Sequence, residues 1–144
     1  PDAAIGADVI AGFPGETEED HRATLTLIGH MPLTYLHVFS FSPRPGTPAA
    51  EMPGHVPSAV IAQRARELRA LGEEKKSAFR AAQTGHTMRV LTLNRGGEDA
   101  SGSWTRALSG NYLDVCVPGR RPANQFVEIR VTDISDAHVV EITV

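Results

Sequence analysis

The chain has 144 residues, a formal net charge of −3, and 41% hydrophobic, 22% charged and 6% aromatic residues. This balance belongs to an ordinary folded chain and excludes both a disordered charged segment and a broadly basic nucleic-acid tail. The sole cysteine, Cys116, excludes a disulfide framework or a cysteine metal site built within the chain, and no metal-ligating set is proposed. No apolar run approaches the roughly 20 residues needed to span a bilayer, so the expectation is a cytoplasmic chain with no membrane partner. Net charge is −5 over residues 1–54, +3 over 55–83 and −1 over 84–144. The chain opens at Pro1 without methionine and reads as a fragment of a longer protein, the remainder lying upstream.

In chain order, Ala7 to Ala11 is a short apolar run ended by glycine, which predicts a buried parallel strand. Thr17 and Asp20 have the spacing of a capping box, and Glu18 and Glu19 suit the positive end of the helix that follows. Leu27, Ile28 and Met31 are expected on its apolar face, with Pro32 closing it. Tyr35 to Phe41 predicts a second strand and so a βαβ unit. Ser42 to Pro57 reads as a proline-stiffened loop, after which Ser58 caps a long helix to about Gln83. Ile61, Ala65, Leu68, Leu71, Ala78, Phe79 and Ala82 form its predicted apolar stripe, while Arg64, Arg66, Arg69, Lys75, Lys76 and Arg80 line the rest.

From Thr87 the pattern alternates. Thr87–Asn94, Trp104–Leu108, Tyr112–Val117, Phe126–Val131 and Val139–Val144 read as five short antiparallel strands closing into a small barrel. Gly-Gly, Ser-Gly-Asn, Pro-Gly-Arg-Arg-Pro and Ser-Asp-Ala are the breaks between them. Three parts result: residues 1–54, a connecting helix over 55–83, and a β module over 84–144.

Two loops carry the ligand signal. Gly12-Phe13-Pro14-Gly15-Glu16 follows the first strand, and Ser42-Pro43-Arg44-Pro45-Gly46-Thr47 follows the second. Loops beyond the C-terminal ends of parallel strands are where α/β folds bind small molecules, and glycine lets backbone approach a ligand. The structural alternative is a tight strand-to-helix turn with Glu16 serving the helix dipole, and a surface role for Arg44. His37, alternating with Tyr35 and Phe39, reads as a near-core histidine rather than a metal ligand.

Asp8-Val-Ile-Ala-Gly-Phe-Pro-Gly-Glu-Thr17, Leu36-His-Val-Phe-Ser-Phe-Ser-Pro-Arg-Pro-Gly-Thr-Pro-Ala-Ala50 and Gly110-Asn-Tyr-Leu-Asp-Val115 closely resemble the C-terminal part of the radical S-adenosylmethionine tRNA methylthiotransferases. The resemblance implies that residues 1–54 are the last strands and crossover helix of a radical barrel, and that the β module is an OB-like TRAM domain that delivers a tRNA anticodon arm. It implies backbone contact from Gly12, Pro14, Gly15 and Glu16 to S-adenosylmethionine, apolar contact from Ile10 and Phe13, and a place for Ser42 and Arg44 beside the cofactor. Arg44 in the exit loop resembles the branches acting on tRNA. Leu36-His-Val-Phe39 is most similar to the threonylcarbamoyladenosine branch, with the isopentenyl-adenosine branch second.

One departure is decisive for chemistry. The family's cysteine triad for the [4Fe–4S] cluster is absent, and a lone Cys116 cannot replace it, so no catalytic residue is assigned within this chain. For RNA contact the candidates are Lys75, Lys76 and Arg80 near the helix end, and Arg89, Trp104, Arg106, Tyr112, Arg120 and Arg121 in the β module. The bland reading of the helical cations is a solvated face with Glu67, Glu73 and Glu74 interleaved. The rival function is a stand-alone RNA-binding module. A nucleotide-binding oxidoreductase fragment is weaker still, lacking a Gly-x-Gly-x-x-Gly run.

Overall fold

The computed structural model describes residues 2–99, 102–134 and 139–142. They fall into two compact units, residues 4–77 and residues 1–3 with 78–144.

In the first unit, β1 (Gly6–Ala11), α1 (Glu18–His30) and β2 (Tyr35–Ser40) form a βαβ motif, followed by α2 (Pro48–Glu51) and the long α3 (Ser58–Ala81). The strands pair in parallel from Gly6 opposite Tyr35 to Ala11 opposite Ser40. Period-two alternation sends Val9, Ala11, Leu36 and Val38 to one face, where they pack with Ile28, Ala65 and Leu68. On the other face Ile10 and Phe39, paired in register, are each 53% exposed. The capping box is present: Thr17 Oγ1 accepts from the Asp20 N–H, and Asp20 Oδ2 accepts from the Thr17 N–H at 2.9 Å. The Thr17 N–H, together with the Thr17 hydroxyl donating to the same Oδ2 at 2.8 Å, holds the Asp20 carboxyl below its ordinary range. Met31, extended before Pro32, ends α1.

Several sequence expectations need correction. Leu27 and Met31 are exposed, because the side of α1 that packs with the strands carries Leu25 and Ile28, with His21 buried one turn and more before them. The loop after Ser42 contains α2, started by Pro48 in the first turn. Ser58 is the first helical residue of α3 and does not cap it; the Pro57 carbonyl accepts from the Ile61 N–H at 3.0 Å.

The second unit holds β3 (Thr87–Asp99), β4 (Gly102–Ser109), β5 (Asp114–Pro118), β6 (Phe126–Ile134) and β7 (Val139–Ile142). Pairing runs β3-β4-β5-β7-β6 and returns to β3 through β6. The core is Val90, Ala107, Leu113, Val115, Val117, Ile129 and Val131, with Phe79, Met88 and Val127 packed against it. Four of these pairings are antiparallel, but β5 and β7 pair in parallel, contrary to the all-antiparallel expectation. An odd circuit of strands cannot alternate direction all the way round, so one parallel pair is obligatory.

Gly96 and Gly97 do not break a strand, as the sequence suggested; they lie inside β3, after a bulge. Thr92 pairs with Ala107 and Gly96 with Thr105, leaving residues 93–95 opposite Arg106 alone. Tyr112 lies before β5 in the left-handed region, with φ 61°. The predicted Ser-Asp-Ala break and the last two residues of the fifth strand lie outside the described residues.

Candidate ligand loops and nucleic-acid interface

Parallel in-register pairing makes the loops after β1 and β2 leave the same end of the sheet, and the Phe41 N–H donates to the Ala11 carbonyl at 2.8 Å. Phe13 meets Phe41 edge-on with centroids 5.5 Å apart, and Phe41 lies 6.0 Å from the His55 ring. Thus the Gly12–Glu16 and Ser42–Thr47 loops adjoin through aromatic contact. Phe13, Gly15, Ser42 and Arg44 are exposed, whereas Pro14 is buried.

Gly12 has φ +79°, and a Cβ there would sit 2.4 Å from Ile61 Cγ1. Close approach of α3 therefore accounts for this glycine. The Glu16 carboxylate is engaged internally: Oε2 accepts from the Gly12 N–H at 2.7 Å and from Arg64 Nη1 at 2.7 Å. Arg64 Nη1 also donates to the Glu16 carbonyl at 3.0 Å. The Arg64 side chain is 7% exposed, which corrects its expected place on a solvated face. The signal was available in the spacing, since Arg64 lies three residues after Ile61 and four before Leu68, on the apolar stripe. One turn further along α3, buried His21 donates from Nε2 to Glu67 Oε2 at 2.7 Å, and this bond holds the Glu67 carboxyl below its ordinary range.

The RNA candidates divide. Lys75 Nζ donates to the carbonyls of Gly29 and Met31 at 3.1 and 2.9 Å, so it closes the C-terminal end of α1. These bonds give Lys75 a structural role within the first unit. Lys76 lies 3.5 Å from Glu73, and Arg80 is half-buried. Arg106 forks onto Asp114 through Nε at 2.8 Å and Nη2 at 2.6 Å, which raises the guanidinium pKa. That bidentate pair ties Arg106 of β4 to Asp114 of β5.

Arg89 stands 4.1 Å over the ring of Phe126, which is 60% exposed, and Tyr112 is 79% exposed, so neither aromatic is core. Trp104, Arg120 and Arg121 converge with Arg95, Gly96 and Gly97 on an open cavity of about 350 Å³. Arg95 and the bulge were missed because the glycine pair read as a turn.

The cluster chemistry of the resemblance finds no support in these residues. Cys116 is buried in β5 and burial pushes its thiol pKa up, the reverse of what a thiolate ligand needs. Among the described residues no group of three His, Cys, Asp or Glu could hold a metal ion. No helix among them is long and apolar enough to cross a membrane.

No protein-family model matches the chain. Comparison with curated proteins nevertheless assigns a class: the chain is homologous to a segment of tRNA-modifying methylthiotransferases. The relatives are, in particular, tRNA-2-methylthio-N(6)-dimethylallyladenosine synthases. That of Acidothermus cellulolyticus is 40% identical over 144 residues, covering 100% of this chain and 27% of the relative. That of Mycobacterium sp. (strain MCS) is 44% identical over 114 residues, 79% of this chain and 21% of the relative. That of Ehrlichia chaffeensis is 36% identical over 146 residues, 99% of this chain and 32% of the relative. The chain thus spans less than a third of the length of these relatives.

These descriptions correct the expected branch, which was threonylcarbamoyladenosine. Leu36 and Val38 pack into the core, so two of the four residues behind that expectation are set by strand packing.

Proposed function

We propose that this chain is the C-terminal part of a tRNA methylthiotransferase that installs a methylthio group on the dimethylallyl-modified adenosine beside the anticodon. The observation that carries the reading is 40% identity along all 144 residues to a synthase of that description. The two adjoining loops at one end of a parallel strand pair support it. In this reading residues 4–54 are closing strands of a cofactor-holding barrel, with Ile10 and Phe39 on the face turned to its interior.

In the intact enzyme S-adenosylmethionine and [4Fe–4S] clusters supply the radical chemistry, through residues outside this chain. Gly12, Phe13, Pro14, Gly15, Ser42 and Arg44 are proposed to border the S-adenosylmethionine site. Glu16 serves that site by fixing the loop from behind. Residues 84–144 are proposed as the TRAM module, its partner a tRNA anticodon arm.

The test compares tRNA nucleosides from cells with and without the full gene. Loss of 2-methylthio-N6-dimethylallyladenosine, with its unthiolated precursor accumulating, is the expected result. Unchanged levels overturn the assignment.

A further inference from the structure

We infer that the cavity at the β3 bulge is a binding subsite for one unstacked nucleotide of single-stranded RNA, its base lying on Trp104 and its phosphate on Arg95 and Arg120. This rests on the reading of residues 84–144 as an RNA-binding module and names the part of that module that takes a base.

Three observations carry it. First, the cavity lies at the bulge, where glycine lets β3 approach Trp104 closely. A Cβ on Gly96 would sit 2.4 Å from the Trp104 carbonyl oxygen and one on Gly97 would sit 2.7 Å from the indole ring. Bare backbone therefore backs the indole on that side.

Second, the lining concentrates cations that the module's overall balance conceals. Net charge over 84–144 is −1, yet the lining includes Arg95, Arg120 and Arg121 and no carboxylate. The nearby Glu98 is 3.9 Å from Arg120, with both side chains over two-thirds exposed at 71% and 83%, so water and salt screen the pair. Arg121 is itself engaged, its Nε donating to the Pro118 carbonyl at 3.4 Å, as elsewhere in the module are Arg106 on Asp114, Arg130 on the Gly85 carbonyl and Arg89 on Phe126, so the phosphate is assigned to Arg95 and Arg120.

Third, the wall opposite the bulge is fixed. Thr105 Oγ1 donates to the Gly119 carbonyl at 2.8 Å and accepts from the Arg121 N–H at 2.9 Å, which ties the Arg120–Arg121 turn to β4. An aromatic residue and arginines lining one space of about 350 Å³ suit a planar heteroaromatic base carrying an anionic phosphate. A duplex cannot present such a base without unpairing it.

Trp104 is the chain's single tryptophan, so its fluorescence reports this cavity directly. The experiment titrates the 144-residue chain with a short single-stranded RNA, the same RNA as a duplex, and inorganic phosphate, following both Trp104 quenching and gel mobility. The expected result is saturable quenching by the single strand, with affinity about tenfold weaker in an R95Q/R120Q variant, the effect of removing roughly one charge-assisted hydrogen bond. The same variant should flatten the logarithmic salt dependence by about 0.7 for each phosphate left unneutralised. An R22Q variant, carrying a substitution in the other unit, should bind as the parent does.

Equal quenching by phosphate alone would make the cavity an anion site and overturn the inference. RNA binding by gel shift without quenching, or indifferent to R95Q/R120Q, overturns it while leaving the family reading intact. Absence of any RNA binding also overturns it, and the nucleoside comparison then judges the family reading separately.

Discussion

Arg64 and Glu16, 48 residues apart in sequence, meet at 2.7 Å with side chains 7% and 13% exposed, and the same carboxylate oxygen holds the Gly12 N–H. The glycine turn after β1 is thereby clamped to α3 by a charge pair removed from water. Breaking such a pair from one side strands the other charge, which costs far more than the intact pair contributes. Arg64→Ala should destabilise the chain by about 3–5 kcal/mol, read from the urea midpoint, and Arg64→Lys should recover only part of this because the shorter lysine stem does not bring its ammonium to the place where Nη1 meets both the carbonyl and the carboxylate of Glu16. Loss below about 1 kcal/mol for Arg64→Ala would show that the carboxylate is stabilised by other means.

The neighbouring glycine gives a separable test. Gly12→Ala adds a left-handed strain of about 1–2 kcal/mol and a clash with Ile61. In a double-mutant cycle with Ile61→Ala, the steric part should disappear and the backbone part persist, so the two changes together should destabilise less than their sum. Strict additivity would mean that Ile61 does not explain the glycine.

Lys75 predicts a dissociation between stability and binding. Lys75→Met should lower stability by about 0.3–1 kcal/mol, the range for a cation at a helix C-terminus, and leave RNA affinity unchanged. A drop in RNA affinity without loss of stability would return Lys75 to the nucleic-acid interface.

Acid sensitivity should trace to Glu67 and Asp20. Both carboxyls are held below their ordinary values, Glu67 first by the His21 hydrogen bond and Asp20 first by the Thr17 N–H. A depressed carboxyl binds its proton more readily in the unfolded chain, so its stabilisation is complete above the unfolded pKa and fades as pH falls through the folded value. Melting temperature measured from about pH 6 down to about pH 3 should therefore fall less steeply in Asp20→Asn and Glu67→Gln than in the parent. Parallel curves would count against both contacts.

Cys116 should behave as an inert core thiol. It is 8% exposed, and burial pushes its pKa up. Thiol reagents at neutral pH should label it slowly in the folded chain and at once in denaturant. Rapid labelling of the folded chain would show that β5 opens.

The sequence by itself determined the local grammar: the strand ended by glycine, the Thr17–Asp20 box, the long helix from Ser58 and the alternation of the β module, together with the kinship those residues carry. Each of these depends on neighbours within a few positions, where turn chemistry, capping and periodicity operate. What the sequence could not show is which cations are already committed. Arg64 finds Glu16 and Lys75 finds the end of α1 across more than 40 residues, while Arg106 turns to Asp114 on the adjacent strand. Only after those partners are assigned does it emerge that Arg95 and Arg120 line one cavity with the single tryptophan. Tertiary structure decided this because an ion pair depends on distance in space, to which spacing along the chain is blind.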